Sequence, residues 1–305
     1  MYFPYLRGRQ YELLALKELV QKNLLGNSVC PVVEPVKISS TLLSTVDCYT
    51  KTFKVFALVL NPEVVSLDDK ESQELLSLVK NSEIIPAVIA NETLKKTIAK
   101  LENEGYEKSN VMVVFNSEEA VPSFEECFSG VLPLFTLMPY KRDFRHLVSD
   151  NKVLFEDYFH KQQKNADYLK KLDELFSKDH LYYKEERYSG FGDYSIIGEE
   201  YDESGFAPRA VAIHIVYFDH YKELRVHHFV SNTNHGIEDV AGKFYEAIKK
   251  MEGFIPLFED INQSYGLSTL LSYAKSGYYP GLPTLKKLSI MHHLELMGKY
   301  LDGRI

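Results

Sequence analysis

The chain has 305 residues, of which 45% are hydrophobic and 26% charged, which is typical of a globular protein with one large or two small domains. A net charge of −8 argues against general nucleic-acid binding, which depends on Lys and Arg contacts to phosphate. The three cysteines form no C-x-x-C pair and indicate a reducing compartment. No signal-peptide pattern and no long apolar run is present, so we expect a cytoplasmic protein without a membrane span.

Short apolar segments alternate with amphipathic segments in the first half of the chain. The amphipathic pattern predicts helices within residues 11–25, 67–79 and 92–102. Near-continuous apolar strands separated by helices are typical of a parallel sheet. Their number favours a TIM-like (β/α) barrel in the α/β class, with an open doubly wound sheet as the alternative. The six predicted strands cover residues 2–8, 29–37, 54–60, 83–90, 110–116 and 131–138.

The second half is less regular. We predict a long helix over residues 152–176, a seventh strand at 181–187 or after Asp193, and an eighth at 210–218. Residues 223–231 read as a hairpin partner of the eighth strand, 201–208 as a loop, and 236–251 and 284–301 as helices. We expect one domain, with a barrel-like core over 1–222 and a C-terminal helical and β extension over 223–305.

Ligands of such folds bind at the carboxyl ends of the strands. Glu34 lies inside an otherwise apolar strand, where a buried carboxylate needs a partner, and Arg7 and Lys37 are the nearest cations by predicted position. This group is either a catalytic or phosphate-positioning network or a structural ion pair. Asn61, Asn91 and Asn116 each end a strand, where helix N-capping is favoured over ligand binding.

The spacing of the histidines is not typical of a metal-binding site. His214 lies in an apolar strand, which is more typical of a core histidine than of a ligand. His227 and His228 are adjacent, so they point to opposite faces of a strand and cannot chelate one ion together. A site built from Asp193, His214 and His228 is the remaining option; we predict no metal site and identify no cofactor. Walker, dinucleotide-binding and nucleophile-elbow motifs are missing from the sequence.

The segment "FGDYSIIGEEY" (191–201) contains a Gly-Asp-Tyr corner. Gly-Asp pairs favour turns. The alternative is a polar corner at the barrel mouth, in which Asp193 and Tyr194 face Arg7 and Glu34. Both interpretations stay open.

Several segments resemble uncharacterised bacterial and mobile-element proteins related to the phage "beta protein" family. They are "MYFPYLRGRQYELLALKEL", "PVVEPVK" and "FGDYSIIGEEY … AVAIHIVYF … LRVHHFVS", which follow one another between residues 2 and about 231. The resemblance implies a barrel-like α/β fold and a role in phage–host conflict beside a nuclease-like partner, but no reaction. The positions that match are Arg7, Glu34, Lys37, Asp193, Tyr194, His214 and Tyr217.

Two functions follow. In the first, the protein is an interaction or regulatory partner of a nuclease-like protein in an anti-phage or mobile-element system. In the alternative, the barrel is an enzyme or sensor that binds a phosphorylated small molecule or nucleotide. Arg7 and Lys37 would then contact the anion, and Glu34 or Asp193 would be the catalytic acid–base group. Tyr194, His214 and Tyr217 complete the candidate ligand-binding residues.

Overall fold

A computed structural model describes residues 1–202, 209–255 and 260–305. Eight parallel strands form a closed barrel, in which each strand pairs with the next and the last pairs with the first. This confirms the TIM-like barrel, because an open sheet has no such closing pair. The barrel strands are β1 (Tyr2–Leu6), β2 (Val32–Val33), β3 (Ala57–Val59), β4 (Ile85–Ile89), β5 (Met112–Val114), β6 (Phe135–Met138), β7 (Lys152–Glu156) and β9 (Gly190–Asp193).

Helices follow most of these strands, as the alternation of apolar and amphipathic segments in the sequence predicts. α3 begins at a capping box in which Asp68 and Glu71 satisfy each other's backbone N–H groups. Its buried positions Leu75, Leu76 and Val79 form the expected apolar stripe. The helices of this part are α1 (Gln10–Gln21), α2 (Ser40–Thr52), α3 (Asp69–Ser82), α4 (Leu94–Asn103), α5 (Val121–Cys127), α6 (Arg142–Arg145) and α7 (Asp179–Tyr182).

Aromatic rings fill the barrel interior. The rings of Phe3 on β1 and Phe135 on β6 lie 4.9 Å apart, and these strands are not neighbours in the ring, so the two side chains meet inside. Tyr5 also points inward and lies 5.6 Å from the ring of Phe155. Since side chains alternate along a strand, this contact assigns every second residue of β1 to the interior.

Gly192 on β9 makes room for these rings. A Cβ atom at this position would lie 2.4 Å from the carbonyl oxygen of Phe3 and 3.3 Å from the ring of Phe155. We expect Gly192→Ala to lower the free energy of unfolding by about 1–3 kcal/mol, because the overpacked backbone must shift. Urea unfolding checks this. Gly253→Ala is the control, since a Cβ there meets no atom within 4 Å; equal stability of the two variants would contradict the prediction.

Two predictions for residues 152–187 are wrong. Residues 152–176 form strand β7, a 3-10 turn at Asn165–Lys170 and most of strand β8 (Asp173–Ser177), instead of one helix. Residues 181–187 form no strand, and no strand starts after Asp193 within residues 194–202; the eighth barrel strand is the "GFGD" segment of β9, which ends at Asp193. That segment escaped prediction because it contains no β-branched residue.

A separate antiparallel sheet lies outside the barrel. Its strands follow the order β10 (Ala212–Phe218), β11 (Leu224–Val230), β8, so residues 210–218 do not belong to the barrel. The predicted hairpin of β10 and β11 is confirmed. The helices of this part are α8 (Val240–Phe254), α9 (Tyr265–Ser276) and α10 (Leu282–Leu301).

The described chain divides into two compact units. The first comprises Met1–Asn23, Asn27–Asp157 and Asp179–Tyr194, and the second comprises Leu24–Gly26, Tyr158–Lys178 and Ser195–Ile305. The expected division into a core over 1–222 and an extension over 223–305 stays a prediction. Residues 203–208 of the predicted loop lie outside the described residues. Within 1–202, 209–255 and 260–305, no helix combines the length and apolar character needed to cross a membrane.

Candidate functional site at the barrel mouth

A layer of polar side chains follows the inward-facing positions of the barrel strands. Tyr5 points inward, so Arg7, two residues later, continues on the same side. The registers between paired strands show which residues of the other strands also face inward, as Tyr5 does. They are Val32, Ala57, Ala87, Met112 and Gly192. In a TIM-like barrel this carboxyl end of the strands is where ligands bind. The polar residues assigned to it are Arg7, Glu34, Asn61, Asn91, Asn116 and Tyr194.

Glu34 is fully buried and forms an ion pair with Arg7 through its Oε2 atom. The same oxygen accepts a 2.9 Å hydrogen bond from the Tyr5 hydroxyl. Oε1 accepts hydrogen bonds from the backbone N–H groups of Glu63, at 2.7 Å, and Val64, at 3.1 Å. Four donors therefore surround the carboxylate, which favours the structural ion pair over a general base.

The Arg7 guanidinium lies over two tyrosine rings, 5.2 Å from the centroid of Tyr5 and 5.3 Å from that of Tyr194. Burial by itself would lower the pKa of Arg7, but the Glu34 carboxylate raises the pKa overall. Burial and the same carboxylate raise the pKa of Tyr5 well above its ordinary value. Arg7 is thus held as a cation, and Tyr5 as a neutral hydrogen-bond donor.

Asn61 extends the pairing of β3 and β4 beyond the last strand residues. Its Oδ1 accepts from the backbone N–H of Ile89 at 2.8 Å, and its Nδ2 donates to the carbonyl of Ile89 at 2.9 Å. The amide also donates to Asn91 Oδ1 at 3.1 Å. Asn91 and Asn116 in turn both donate to the carboxylate of Glu63. The three asparagines and Glu63 form one hydrogen-bonded rim, called here the asparagine rim.

The N-cap interpretation is wrong for Asn61 and Asn116, whereas Asn91 Oδ1 does accept a 2.9 Å hydrogen bond from the backbone N–H of Thr93 at the start of α4. The N-cap residue of α3 is Asp68, and that of α4 is Thr93. All three asparagines stand on the inward side; Asn61 and Asn91 link the ends of β3 and β4, and Asn116 after β5 reaches Glu63 after β3. Their shared position two residues after an inward-facing strand residue is the sequence signal that could have identified the rim.

An open groove of about 400 Å³ borders the asparagine rim beside α3 and α4. Asn61, Glu63 and Asn91 belong to both the rim and the groove. The groove also exposes two lysines of α4, Lys96 and Lys100. Its size suits a ligand of the volume usual for small-molecule sites. Sequence reasoning missed these lysines because they lie on a helix, not at a strand end.

Lys37 and Asp193 do not join Arg7 and Glu34 at the mouth. Lys37 is exposed in the loop before α2 and makes no ion pair with any residue that the structure describes. Asp193 pairs in register with Pro4, one position out of phase with Tyr5, and accepts a 2.8 Å hydrogen bond from the Tyr2 hydroxyl. β9 runs through Asp193, so the Gly-Asp-Tyr corner ends a strand, with Asp193 facing out of the barrel and Tyr194 facing in.

His214 and Tyr217 belong to β10 in the second unit, on opposite faces of its sheet. The Tyr217 hydroxyl donates to Asp173 Oδ2 at 2.8 Å, and burial together with this carboxylate raises the pKa of Tyr217 to about 12. His214 lies 2.7 Å from His228, Nδ1 to Nδ1. His227 pairs with Asp173 and His228 with Glu174, which confirms that these two histidines face opposite ways. No group of three His, Cys, Asp or Glu side chains in the described ranges could hold a metal ion.

Ser195 is a feature that sequence reasoning missed. It has a left-handed φ of 51° two residues after the end of β9, and its hydroxyl lies 2.9 Å from Nδ1 of His293. Strained serines paired with histidine occur in hydrolases. Both residues are fully buried, however, so a substrate cannot reach them in this conformation.

No protein-family model matches the chain, and no curated protein matches it. The resemblance to the "beta protein" family therefore stays a prediction.

Proposed function

We propose that the barrel binds a phosphorylated small molecule or nucleotide at the carboxyl ends of β3 and β4, as an enzyme or a sensor. The observation that carries this proposal is the 400 Å³ groove, which joins the asparagine rim to two lysines. Amide groups supply donors and acceptors for hydroxyl or base atoms, and lysines attract phosphate.

Two lysines, Lys96 and Lys100, and two glutamates, Glu63 and Glu92, line the groove, so the case for an anion depends on the lysines being free to contact it. Lys96 is exposed and has no ion-pair partner among the described residues. Lys100 lies 3.9 Å from Asp69, whose side chain is 94% exposed, so this contact is weak and screened by solvent. The carboxylate of Glu63 is already occupied by Asn91 and Asn116. Both lysines can therefore turn to a ligand at little cost.

The start of α4 strengthens the same site. The helix begins at Leu94, and the side chain of its N-cap residue Thr93 makes no capping hydrogen bond. The Thr93 hydroxyl instead donates to Asn91 Oδ1 at 2.7 Å. Thr93 and Lys96 both line the groove, so the positive end of the α4 helix dipole lies at its edge, and such helix starts bind phosphate.

We expect the double variant Lys96→Ala/Lys100→Ala to lose at least about tenfold in affinity, because each charge-assisted contact contributes about 1.5–3 kcal/mol. The test is a thermal-shift panel of nucleotides and sugar phosphates, followed by calorimetric titration of any hit. A ligand at 100 times its Kd should stabilise the protein by about 2.7 kcal/mol.

Lys95→Ala is the matched control. Lys95 precedes Lys96 on the same helix but pairs with Glu126 on the surface and does not line the groove. A panel without any shift, or equal affinity of the double variant and the control, would contradict the proposed site.

The role as a regulatory partner of a nuclease-like protein in an anti-phage or mobile-element system rests on the resemblance alone. It stays a prediction, together with the cytoplasmic location. A barrel fold is compatible with either function. Co-purification of a nuclease-like protein with the tagged chain would support the partner role, and recovery of the chain alone would count against it.

A further inference from the structure

One face of the antiparallel sheet in the second unit carries a row of three titratable side chains. They are Glu174 on β8, His228 on β11 and His214 on β10, one from each strand in the order of the sheet. His228 Nε2 lies 3.2 Å from Glu174 Oε1, and the Nδ1 atoms of the two histidines lie 2.7 Å apart. Glu174 and His228 are buried, whereas His214 is half-buried.

The carboxylate at one end determines the tautomer of both histidines. Burial by itself would raise the pKa of Glu174, but hydrogen bonds from Lys171, His160 and His228 lower the pKa overall, so the group is ionised at neutral pH. An ionised carboxylate only accepts, so His228 carries its proton on Nε2. Nδ1 of His228 must then accept, and Nδ1 of His214 must donate. Nε2 of His214 is left with a bare lone pair.

The His214 side chain is half-buried, so part of it remains exposed to solvent. His214 makes no hydrogen bond other than the one to His228 among the residues described. The rings of Tyr168 and Phe159 flank the His214 ring at centroid distances of 4.6 and 5.0 Å. Burial, the neighbouring His228 and the Lys286 charge lower the pKa of His214 well below its ordinary value. The imidazole is therefore neutral at pH 7.

We propose that Nε2 of His214 is a nucleophile for an activated acyl group, with His228 as its base and Glu174 as the carboxylate that orients His228. This is the arrangement of nucleophile, base and orienting group that activates side chains in covalent catalysis. It uses no residue of the barrel groove, so it goes beyond the function proposed above.

Every electron pair and proton of the proposed acyl transfer is accounted for by the acyl donor and the three side chains of the row. The Nε2 lone pair attacks the carbonyl carbon, and the bond from that carbon to the leaving group breaks, so the leaving group departs with the electron pair. The His214 ring loses its Nδ1 proton to Nδ1 of His228, while the Nε2 proton of His228 passes to Glu174. The products are an Nε2-acyl imidazole, the free leaving group and a protonated Glu174.

The surroundings favour acyl over phosphoryl transfer. Phosphoryl groups in transfer need several cations around their oxygens. The charged and titratable groups that act on His214 are His228 and Lys286, with Glu174 beyond His228. The flanking walls are the aromatic rings of Phe159 and Tyr168, which suit the carbon skeleton of an acyl group.

Diethyl pyrocarbonate, an acyl donor with ethyl carbonate as its leaving group, tests the proposal on the full chain. Mass spectrometry gives the acylation rate of each histidine peptide at pH 6.0 and 7.5. An ordinary histidine should react about fourfold more slowly at pH 6.0, because most of it is protonated there. His214 should react at nearly the same rate at both pH values. A His214 that stays unmodified while exposed histidines react, or that slows like them, would overturn the proposal.

Two variants test whether the row, and not the rest of its surroundings, determines the acylation rate of His214. Glu174→Gln keeps the shape but removes the charge, and should lower the His214 rate about tenfold or more. His227→Gln is the matched control, since His227 is the neighbour of His228 on the opposite face and pairs with Asp173; its His214 rate should be unchanged. An unchanged rate in Glu174→Gln, or preferential labelling of His214 by the phosphoryl donor phosphoramidate, would overturn the assignment.

Discussion

Replacing Glu34 with alanine is expected to lower the free energy of unfolding by about 3–5 kcal/mol. The carboxylate is fully buried and accepts from Tyr5, Arg7 and the backbone of Glu63 and Val64. Alanine removes the acceptor of all four donors at once. Removing one partner of a buried ion pair costs more than the pair contributes, because the other charge stays without compensation.

Urea unfolding of Glu34→Ala beside Glu125→Ala measures this effect. Glu125 is an exposed glutamate of α5, so its removal should change stability by less than about 0.5 kcal/mol. Glu34→Gln should fall between the two, since its carbonyl oxygen can still accept from the amides of Glu63 and Val64 while its NH₂ group faces other donors. A loss below about 1 kcal/mol in Glu34→Ala would contradict the structural role of the pair.

The second large effect concerns His292, which makes the second unit sensitive to acid. The side chain is fully buried in α10; Nε2 donates to the carbonyl of Val216 at 2.6 Å, and Nδ1 accepts from the Ser264 hydroxyl at 2.7 Å. Burial lowers the pKa of His292 from 6.5 to about 4. A proton on Nδ1 would remove the acceptor of Ser264 and place a charge in the core.

The direction of the pH effect follows from these two pKa values. Between pH 6.5 and 4 the unfolded chain binds a proton at His292 that the folded chain does not, so stability falls as the pH falls. The contribution is fully present above pH 6.5 and is lost at pH 4 and below. The loss amounts to about 1.4 kcal/mol per pH unit, or about 3 kcal/mol in total.

His292→Gln isolates this contribution, because glutamine can still donate to Val216 but does not titrate. We expect the variant to be less stable than the wild type at pH 7.5, and the difference to narrow toward pH 5 with the slope given above. Exposed His235→Gln is the control and should follow the wild-type profile. Parallel profiles of the wild type and His292→Gln would contradict the prediction. The pKa values of His214 and His228 are also lowered, so these histidines contribute to the pH dependence of stability as well. Because the wild type and His292→Gln both contain them, their contribution cancels in the difference between the two profiles.

The first six barrel strands could be predicted because each must be buried on both sides. Residues such as 110–116 are apolar without alternation, as parallel strands require, and a helix follows within a few residues. The same rule failed for "GFGD" of β9, where glycine faces the interior because Phe3 and Phe155 already occupy the space. That requirement arises from strands far away in the chain, so no local pattern expresses it.

Part of the candidate site could likewise be predicted from the sequence, and part could not. Arg7 and Glu34 could be identified from the sequence because a charge at the end of an apolar strand needs a partner, and the fold brings strand ends together. The bonds of Asn61 to β4 and of Asn91 and Asn116 to Glu63 could not, since asparagine after a strand fits a helix cap equally well.

The sequence by itself thus determined the α/β class, the alternation of strands and helices in the barrel, and the need for a carboxylate–cation pair at the mouth. It could do so because hydrophobic periodicity and charge burial are local properties. Only the tertiary structure decided which way Asp193 and Tyr194 face, which strand closes the ring, and that Glu174, His228 and His214 stand in one row. Those outcomes depend on register, and a shift of one residue would reverse the face of every side chain in a strand.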